Sequence, residues 1–559
     1  MDTFDLQRAA GKFSATARTR RIGMRYRPPM VRAQMTLVLG GWLTAALAAC
    51  SSSGDAASTA GAGASAGAAG ASAGSGGQSG KSGAAGGAGQ PGGGKSGSGG
   101  APAGSAGKAG ASGVAGQGGK AGASGAAGQG SQAGVGGAAS GGAAGNGGSG
   151  GGPLTGPGHV RIEAKAAGFT LLRDDAPYFI RGVGGQTRIE RAAQAGANST
   201  RTWGSENAST VLDTAKANGM TVLLGIWLDH NPASYGDDAY KNARRKELQG
   251  LLDQHKNHPA LLMWALGNEL NLETDTPAAW QFVEELIAMV HAQDPNHPAI
   301  TVLAGANVAA INHVVQHAPS ADALGINTYG GIGGTEKSVG DSMFKKPYLV
   351  TEWGPTGHWE AASTSWMRPI EPTSDQKATS YADRYQFIVG PAGKCLGSYV
   401  FLWGQKQERT PTWYGMFVED QPALGLKGEA APTVDVMQHV WTGQWPANRA
   451  PAVTALTLAG QSPTQNVTLA PGASVPAVIT ASDPDGDALT YVWEVLEEPS
   501  ALGSGGSFEP RPPAVPGAIK GAGGTVQVTA PKAGEYRLFA YAFDGKGSVG
   551  TANVPFRVQ

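Results

Sequence analysis

The stretch HPALLMWALGNE, from His258 to Glu269, sets the reading of the whole chain. Its apolar run Leu261–Leu266 has the length of a strand. It passes straight into Gly267, Asn268 and Glu269. A carboxylate placed directly after an apolar strand carries a desolvation cost. YLVTEWG, from Tyr348 to Gly354, has the same form: an apolar run and then Glu352.

Other short apolar runs flank these two. In chain order they are Tyr178–Val183, Ser199–Trp203, Thr221–Leu228, Leu261–Leu266, Ile300–Leu303, Ala323–Asn327, Tyr348–Thr351 and Ser398–Trp403. Amphipathic stretches lie between them. Leu248, Leu251, Leu252 and His255 share one helix face by their i, i+3, i+4, i+7 spacing. Phe282, Leu286, Met289 and Val290 repeat the pattern behind Thr276-Pro277, a cap followed by a first-turn proline. Strand and helix alternating over about 280 residues predict a parallel sheet covered by helices. Eight such units predict a closed (β/α)8 TIM barrel, here over residues 153–446. An open doubly wound sheet is the competing layout, and it expects a phosphate-binding glycine loop after its first strand. Gly182-Val183-Gly184-Gly185 does not complete that fingerprint. A hairpin, Val160–Ile162 with Phe169–Leu172, precedes the barrel.

In such a barrel the chemistry sits at the C-terminal ends of the strands. Arg201 and Trp203 end strand 2, and Trp227, Asp229 and His230 end strand 3. Asn268 and Glu269 end strand 4, Asn327-Thr328-Tyr329 strand 6, Glu352 and Trp353 strand 7, and Trp403 strand 8. Glu269 and Glu352 are thus expected on opposite sides of one mouth. Cleavage of a glycosidic bond needs two such carboxyl groups. One gives a proton to the leaving oxygen, and the other, ionised, attacks the anomeric carbon or activates water. Their pKa values must be pushed apart by their surroundings.

The run His258–Glu269 resembles the acid/base segment of retaining glycoside hydrolases whose barrels carry catalytic glutamates after strands 4 and 7. Joined to Val350–Gly354 and Arg201, it is most similar to the catalytic domain of glycoside hydrolase family 2, over about Pro177 to Gln444. That family includes β-galactosidases, β-mannosidases and β-glucuronidases. GANSTRTW (Gly196–Trp203) and GMTVLLGIWL (Gly219–Leu228) also resemble β-1,3-glucanases and glucanosyltransferases. The resemblance implies Glu269 as acid/base and Glu352 as nucleophile. It implies Asn268 on the sugar 2-hydroxyl, Arg201 keeping Glu352 ionised, Tyr329 donating to Glu352, and Trp403 as the stacking floor. Trp227, His358 and Trp359 join them as substrate-binding candidates, in a region where Trp366, Lys406, Glu408, Trp413 and Tyr414 also crowd the ends of strands 7 and 8. Plainer alternatives stand beside these: an ion-pair partner for Arg201, simple packing for Tyr329, a core position for Trp403. The implied mechanism is double displacement with retention, by carboxyls about 5–5.5 Å apart. Family 2 members usually carry jelly-roll and immunoglobulin-like domains before the barrel. Here a Gly/Ala/Ser tract and a short hairpin stand there, which favours a more open cleft and a β-linked polysaccharide or oligosaccharide, a β-glucan first.

Of the 559 residues, 89 are glycine, and most of the excess lies in residues 51–152. That tract has no aromatic residue and no apolar periodicity, so it cannot offset the entropy of ordering. Lys+Arg and Asp+Glu are equal at 42, which leaves no basic surplus for nucleic acid. Met35–Ala49 is an apolar run too short for a membrane span and of the length of a signal-peptide core, preceded by Arg25, Arg27 and Arg32. Leu47-Ala48-Ala49-Cys50 resembles a bacterial lipobox, which implies lipidation at Cys50; ordinary cleavage after Ala46-Leu47-Ala48 is the alternative. By the same resemblance Ser51-Ser52 implies an outer-membrane or surface destination, and Met24 is a candidate start. On this reading residues 1–50 are a leader and signal peptide. Residues 51–152 are a disordered tether, with an r.m.s. span of about 50–60 Å. The membrane is met through the lipid anchor only, and secretion is the remaining destination. With Cys395 the only other cysteine, no disulfide framework is implied.

Residues 447–559 change to short alternating runs, such as Thr490–Val495, Thr525–Thr529, Tyr536–Phe543 and Val554–Val558, separated by Gly, Pro and Asp turns. This spacing predicts an immunoglobulin-like β-sandwich that packs against the barrel or spaces it. Asp483, Asp485 and Asp487 resemble the signature turn of cadherin-like and PKD-like modules, where alternating aspartates hold Ca²⁺; a solvated turn is the alternative. No zinc-ligand spacing appears, and no catalytic metal or cofactor is expected. Two functions remain open: a monomeric, surface-tethered retaining glycoside hydrolase or transglycosidase, and a non-catalytic carbohydrate-binding or adhesion protein on a barrel scaffold.

Overall fold

The structure is a computed structural model and describes residues 154–391, 393–503 and 506–559. The leader, the candidate lipidation site Cys50 and the Gly/Ala/Ser tract to residue 152 lie outside the described residues.

Eight parallel strands close into a barrel in sequence order. They are β1 (Ile180–Gly184), β2 (Ser199–Arg201), β3 (Thr221–Ile226), β4 (Leu261–Asn268), β5 (Ala299–Ala304), β6 (Ala323–Asn327), β7 (Tyr348–Trp353) and β8 (Cys395–Val400). Every residue of β3, β4, β7 and β8 is buried, as expected of strands covered on both faces. The helix Pro277–Gln293 starts as its sequence dictates. Thr276 caps the backbone N–H of Ala279, and Pro277 occupies the first turn. Its inner face buries Trp280, Phe282, Leu286 and Val290, each contributing about 1.5–3 kcal/mol. Asp238–His255 is a second outer helix, capped by Asp237 on the N–H of Ala239.

The hairpin before the barrel pairs Val160–Lys165 with Gly168–Arg173, and Ala176–Pro177 adds a third short strand. It plugs the N-terminal end of the barrel. Val160 N–H donates to Asn296 O, Arg173 Nη2 to Pro259 O and Phe169 N–H to Gly393 O, all just ahead of barrel strands. Val160 and Leu171 join the layer of Leu223, Met263, Ala265, Ile300, Val302 and Tyr399.

The C-terminal part forms two four-stranded sheets around one apolar core. One sheet runs Ala452–Leu458, Ser474–Ser482, Thr525–Thr529 and Ile519–Lys520. The other runs Thr468–Leu469, Val549–Val558, Gly534–Phe543 and Thr490–Glu497. This sandwich is docked on the barrel. Thr551 N–H donates to Ser374 Oγ, Arg537 Nη2 to Pro369 O, and Asn553 Nδ2 to the buried Glu371 carboxylate. Val418 and Leu426 of the barrel side share an apolar cluster with Leu496, Phe539, Tyr541 and Val549.

Candidate active site

Both glutamates sit on irregularities in the sheet. Between β4 and β5 the register passes from Ala265↔Ile300 to Asn268↔Val302, so β4 carries one extra residue. Gly267 (φ 79°) and Glu269 (φ 55°) lie in the left-handed region there. In a regular strand neighbouring side chains point to opposite faces. The bulge and the left-handed turn bring Asn268 and Glu269 into one network instead. The Glu269 conformation is one that L-residues avoid, at a cost of about 1–3 kcal/mol. Between β6 and β7 the register likewise passes from Val350↔Ile326 to Glu352↔Asn327, which re-aims Glu352 at the mouth.

Arg201 is buried at the centre of the resulting network. Its Nη1 donates to Glu352 Oε1 (3.0 Å), to Thr351 O (2.7 Å) and to Asn327 Oδ1 (3.3 Å). Its Nη2 donates to Asn268 Oδ1 (2.7 Å). Asn327 Nδ2 donates in turn to Glu269 Oε1 at 2.9 Å. The two glutamates therefore share one hydrogen-bonded network, linked through Asn327 and Arg201.

Their surroundings differ. Glu352 accepts from Arg201, from Tyr329 OH (3.0 Å) and from Trp203 Nε1 (2.5 Å), three donors on one carboxyl group. Burial and then the Glu352 charge hold the Tyr329 phenol well above its ordinary pKa, so it stays protonated and donates. Glu269 has one weaker neutral donor, and its carboxyl is pushed up to about 7, first by burial and then by the charge of Glu352. One carboxyl is set to hold its proton near neutrality, while its neighbour is ringed by donors.

Arg201, Asn268, Glu269, Tyr329 and Glu352 are thus brought together. Trp227 is half-buried and stacks on His230 at 5.2 Å, and His230 Nε2 meets Asn268 O at 2.7 Å. His358 is edge-on to Trp359 at 4.8 Å, and Trp359 is edge-on to Tyr329 at 5.4 Å. Trp359 is 59% exposed, the most exposed aromatic side chain of this group.

Trp403 does not belong to this site. It is fully buried, its Nε1 donates to Arg188 O at 3.1 Å, and its ring packs edge-on against Phe417. Strand β8 ends at Val400, three residues before the end expected from the apolar run, so Phe401 is the first residue past it. The Phe401 ring meets Trp203 at 5.7 Å, Tyr329 at 6.1 Å and Tyr414 at 5.6 Å, so Phe401 rather than Trp403 packs beside the residues that hold Glu352. Asn327 and Trp203 hold the glutamates, a role that sequence reasoning did not assign to either; their place at the ends of β6 and β2 was the available signal.

The Asp483, Asp485 and Asp487 carboxylates each offer an oxygen within 4.8 Å of the others. Protein groups engage them as well. Asp483 Oδ1 accepts from the N–H groups of Asp485 and Asp487, Asp485 Oδ2 from Arg449 N–H, and Asp487 Oδ1 pairs with Lys546 at 2.6 Å.

Residues 192–357 match the family model described as glycosyl hydrolases family 2, TIM barrel domain. That span holds Arg201, Asn268, Glu269, Asn327, Tyr329 and Glu352. A β-glucuronidase of Rattus norvegicus is 26% identical over 212 residues, 35% of this chain and 30% of the relative. A β-galactosidase of Vibrio cholerae is 32% identical over 78 residues, 14% of this chain and 7% of the relative. The chain thus spans less than a third of the length of these curated relatives. Among solved structures, the β-glucuronidase of Dictyoglomus thermophilum aligns at 17% identity and a TM-score of 0.41, covering 52% of this chain and 54% of that one. The Parabacteroides merdae enzyme aligns at 14% and 0.39, covering 72% and 51%.

Proposed function

We propose that the protein is an O-glycosyl hydrolase that cleaves a β-linked glycan by double displacement with retention. The observation that carries the reading is the unequal pair: Glu269 held toward its protonated form and Glu352 ringed by three donors, linked in one network through Asn327 and Arg201. Glu269 would protonate the leaving oxygen while Glu352 attacks the anomeric carbon. Glu269, then ionised, would draw a proton from the water that opens the glycosyl ester, and so return to its starting state. A transglycosidase differs only in having a sugar hydroxyl take the place of water. The family-2 barrel match over residues 192–357 supports the same reading.

The substrate we propose carries a neutral sugar at the cleaved bond, a β-glucan first. Among the described residues around the two glutamates, Arg201 is engaged by Glu352 and Lys406 by Glu408. A uronic-acid carboxylate would have to displace one of these pairs. We also propose that Cys50 is the lipid-anchor site and that residues 51–152 tether the enzyme at a cell surface.

The test is hydrolysis of a panel of aryl β-glycosides and β-glucans, with product stereochemistry read by NMR at early times. Turnover with retention is expected, and Glu352→Ala should abolish it. Inverted product would remove the nucleophile role of Glu352. Binding of glycans without turnover would favour the carbohydrate-binding scaffold.

A further inference from the structure

The segment after β8 packs beside Tyr329 and Phe401 before it reaches the helix Pro432–Thr442, and it carries a further buried carboxylate. Trp413 and Tyr414 of this segment pack with Tyr329 and Phe401 in one aromatic cluster. Glu408 lies beside them. Its Oε2 pairs with Lys406 Nζ at 2.9 Å and its Oε1 faces His358 Nε2 at 3.4 Å. Burial alone would raise its pKa, but His358 and Lys406 outweigh burial and hold it below the ordinary carboxylate range. Its charge is felt at both Glu269 and Tyr329. A buried carboxylate anion whose charge reaches Glu269, and which lies against the His358 that is edge-on to Tyr414 and Trp359, is a ready acceptor for a sugar hydroxyl.

How Glu408 is held points away from the barrel. The next residue, Arg409, has φ 61°, and Glu408 N–H donates to Thr410 O across it at 3.1 Å. Side chains other than glycine avoid that conformation, so something must hold the turn. The holder is Glu509, a residue of the sandwich that is 1% exposed. Its Oε2 accepts the Arg409 backbone N–H at 2.7 Å, and its Oε1 pairs with the Arg409 guanidinium and accepts Gly503 N–H at 3.0 Å. The sandwich grips both flanks as well. Lys406 Nζ donates to Gly506 O at 2.6 Å. Thr410 Oγ1 donates to Glu371 Oε2, which also receives Asn553 Nδ2.

We propose that the C-terminal sandwich completes the substrate pocket: Glu509 fixes the left-handed turn at Arg409 and thereby aims Glu408 at a hydroxyl of the sugar bound between Glu269 and Glu352. Glu408 is then a specificity-determining residue and Glu509 a positioning residue. The inference rests on the glycosidase reading above.

The experiment uses the full chain and the aryl β-glycoside that the wild type turns over fastest. Glu408→Ala and Glu509→Ala are each expected to lower kcat/KM by about tenfold to a hundredfold, the range for one hydrogen bond to a charged group. The double variant E408A/E509A should be no worse than the poorer single variant, because both substitutions remove the same contact. Arg409→Gly in the E509A background should restore at least part of the loss, since glycine adopts the turn unaided. Should E509A fail to fold, Glu509→Leu, which fills the space but cannot accept the Arg409 N–H, takes its place in the same comparison. Losses that multiply in the double variant, or wild-type kcat/KM in folded E509A, would overturn this inference alone. A wild-type chain that hydrolyses no glycoside would overturn it together with the reading it rests on.

Discussion

If Glu269 is the proton donor, replacing it should cost most where the leaving group most needs a proton. Glutamine at this position keeps the shape and can still accept from Asn327, but it has no proton to give. General acid assistance is worth about 10²–10⁴-fold. Glu269→Gln should therefore lower kcat/KM by about that factor for an alkyl or unsubstituted phenyl β-glycoside. For 2,4-dinitrophenyl glycosides, whose phenolate leaves unaided, the loss in this first step should be close to nothing. The wild-type pH profile carries the same signature. With the Glu269 carboxyl near 7, its protonated form outnumbers the ionised one about tenfold at pH 6 and falls to about a tenth at pH 8. kcat/KM for the poor leaving group should thus fall about tenfold per pH unit above neutrality. In Glu269→Gln that alkaline limb should vanish. The assay is initial rates for a series of aryl glycosides at pH 4.5 to 9. An equal loss for every leaving group, or a limb that persists at the same pH in the variant, would refute the assignment.

The same group makes a stability prediction. A carboxyl whose folded pKa is raised binds its proton more tightly folded than unfolded. Folding stability then falls as pH rises from the unfolded value of about 4.5 to the folded value of about 7. Glu269→Gln should accordingly raise Tm more at pH 8 than at pH 4.5, and an equal gain at both would contradict the raised pKa. Arg201→Met should leave Glu352 buried beside no cation, costing about 3–5 kcal/mol by urea denaturation and abolishing turnover. Trp403→Ala should cost about 3–5 kcal/mol as a core deletion and leave KM of the folded enzyme unchanged. Trp359→Ala should shift stability by less than about 0.5 kcal/mol and raise KM.

The barrel was legible because its signals are short-range. Leu261–Leu266 and Tyr348–Thr351 are strands on their own composition, and Thr276-Pro277 starts its helix by local capping alone. The end of β8 was not legible. The apolar run Ser398–Trp403 does not mark where the chain leaves the sheet, since Phe401 and Trp403 are both apolar and both buried. What separates them is tertiary: Phe401 faces Trp203 and Tyr329, whereas Trp403 is drawn outward by Arg188 O and Phe417. Two residues of offset exchange a place beside the residues that hold Glu352 for one in the core.

A similar limit applies to the glutamates. Their identity could be read from their position at the end of an apolar strand, but their joint geometry depends on bulges that no residue pattern announces. In β4 the extra residue opposite β5 and the left-handed Glu269 bring Asn268 onto Arg201 and Glu269 onto Asn327. Without the bulge, alternation would send one of the two toward the helical layer. That arrangement stores backbone strain at Glu269, and the stability of the surrounding barrel must offset it. Glu269→Gly should therefore recover part of that strain as added stability despite the usual entropic penalty for glycine, because the backbone already holds φ 55°. A glycine variant less stable than Glu269→Ala, which keeps the strain and also lacks the carboxyl, would show that the left-handed turn carries no cost and that the bulge alone shapes the site.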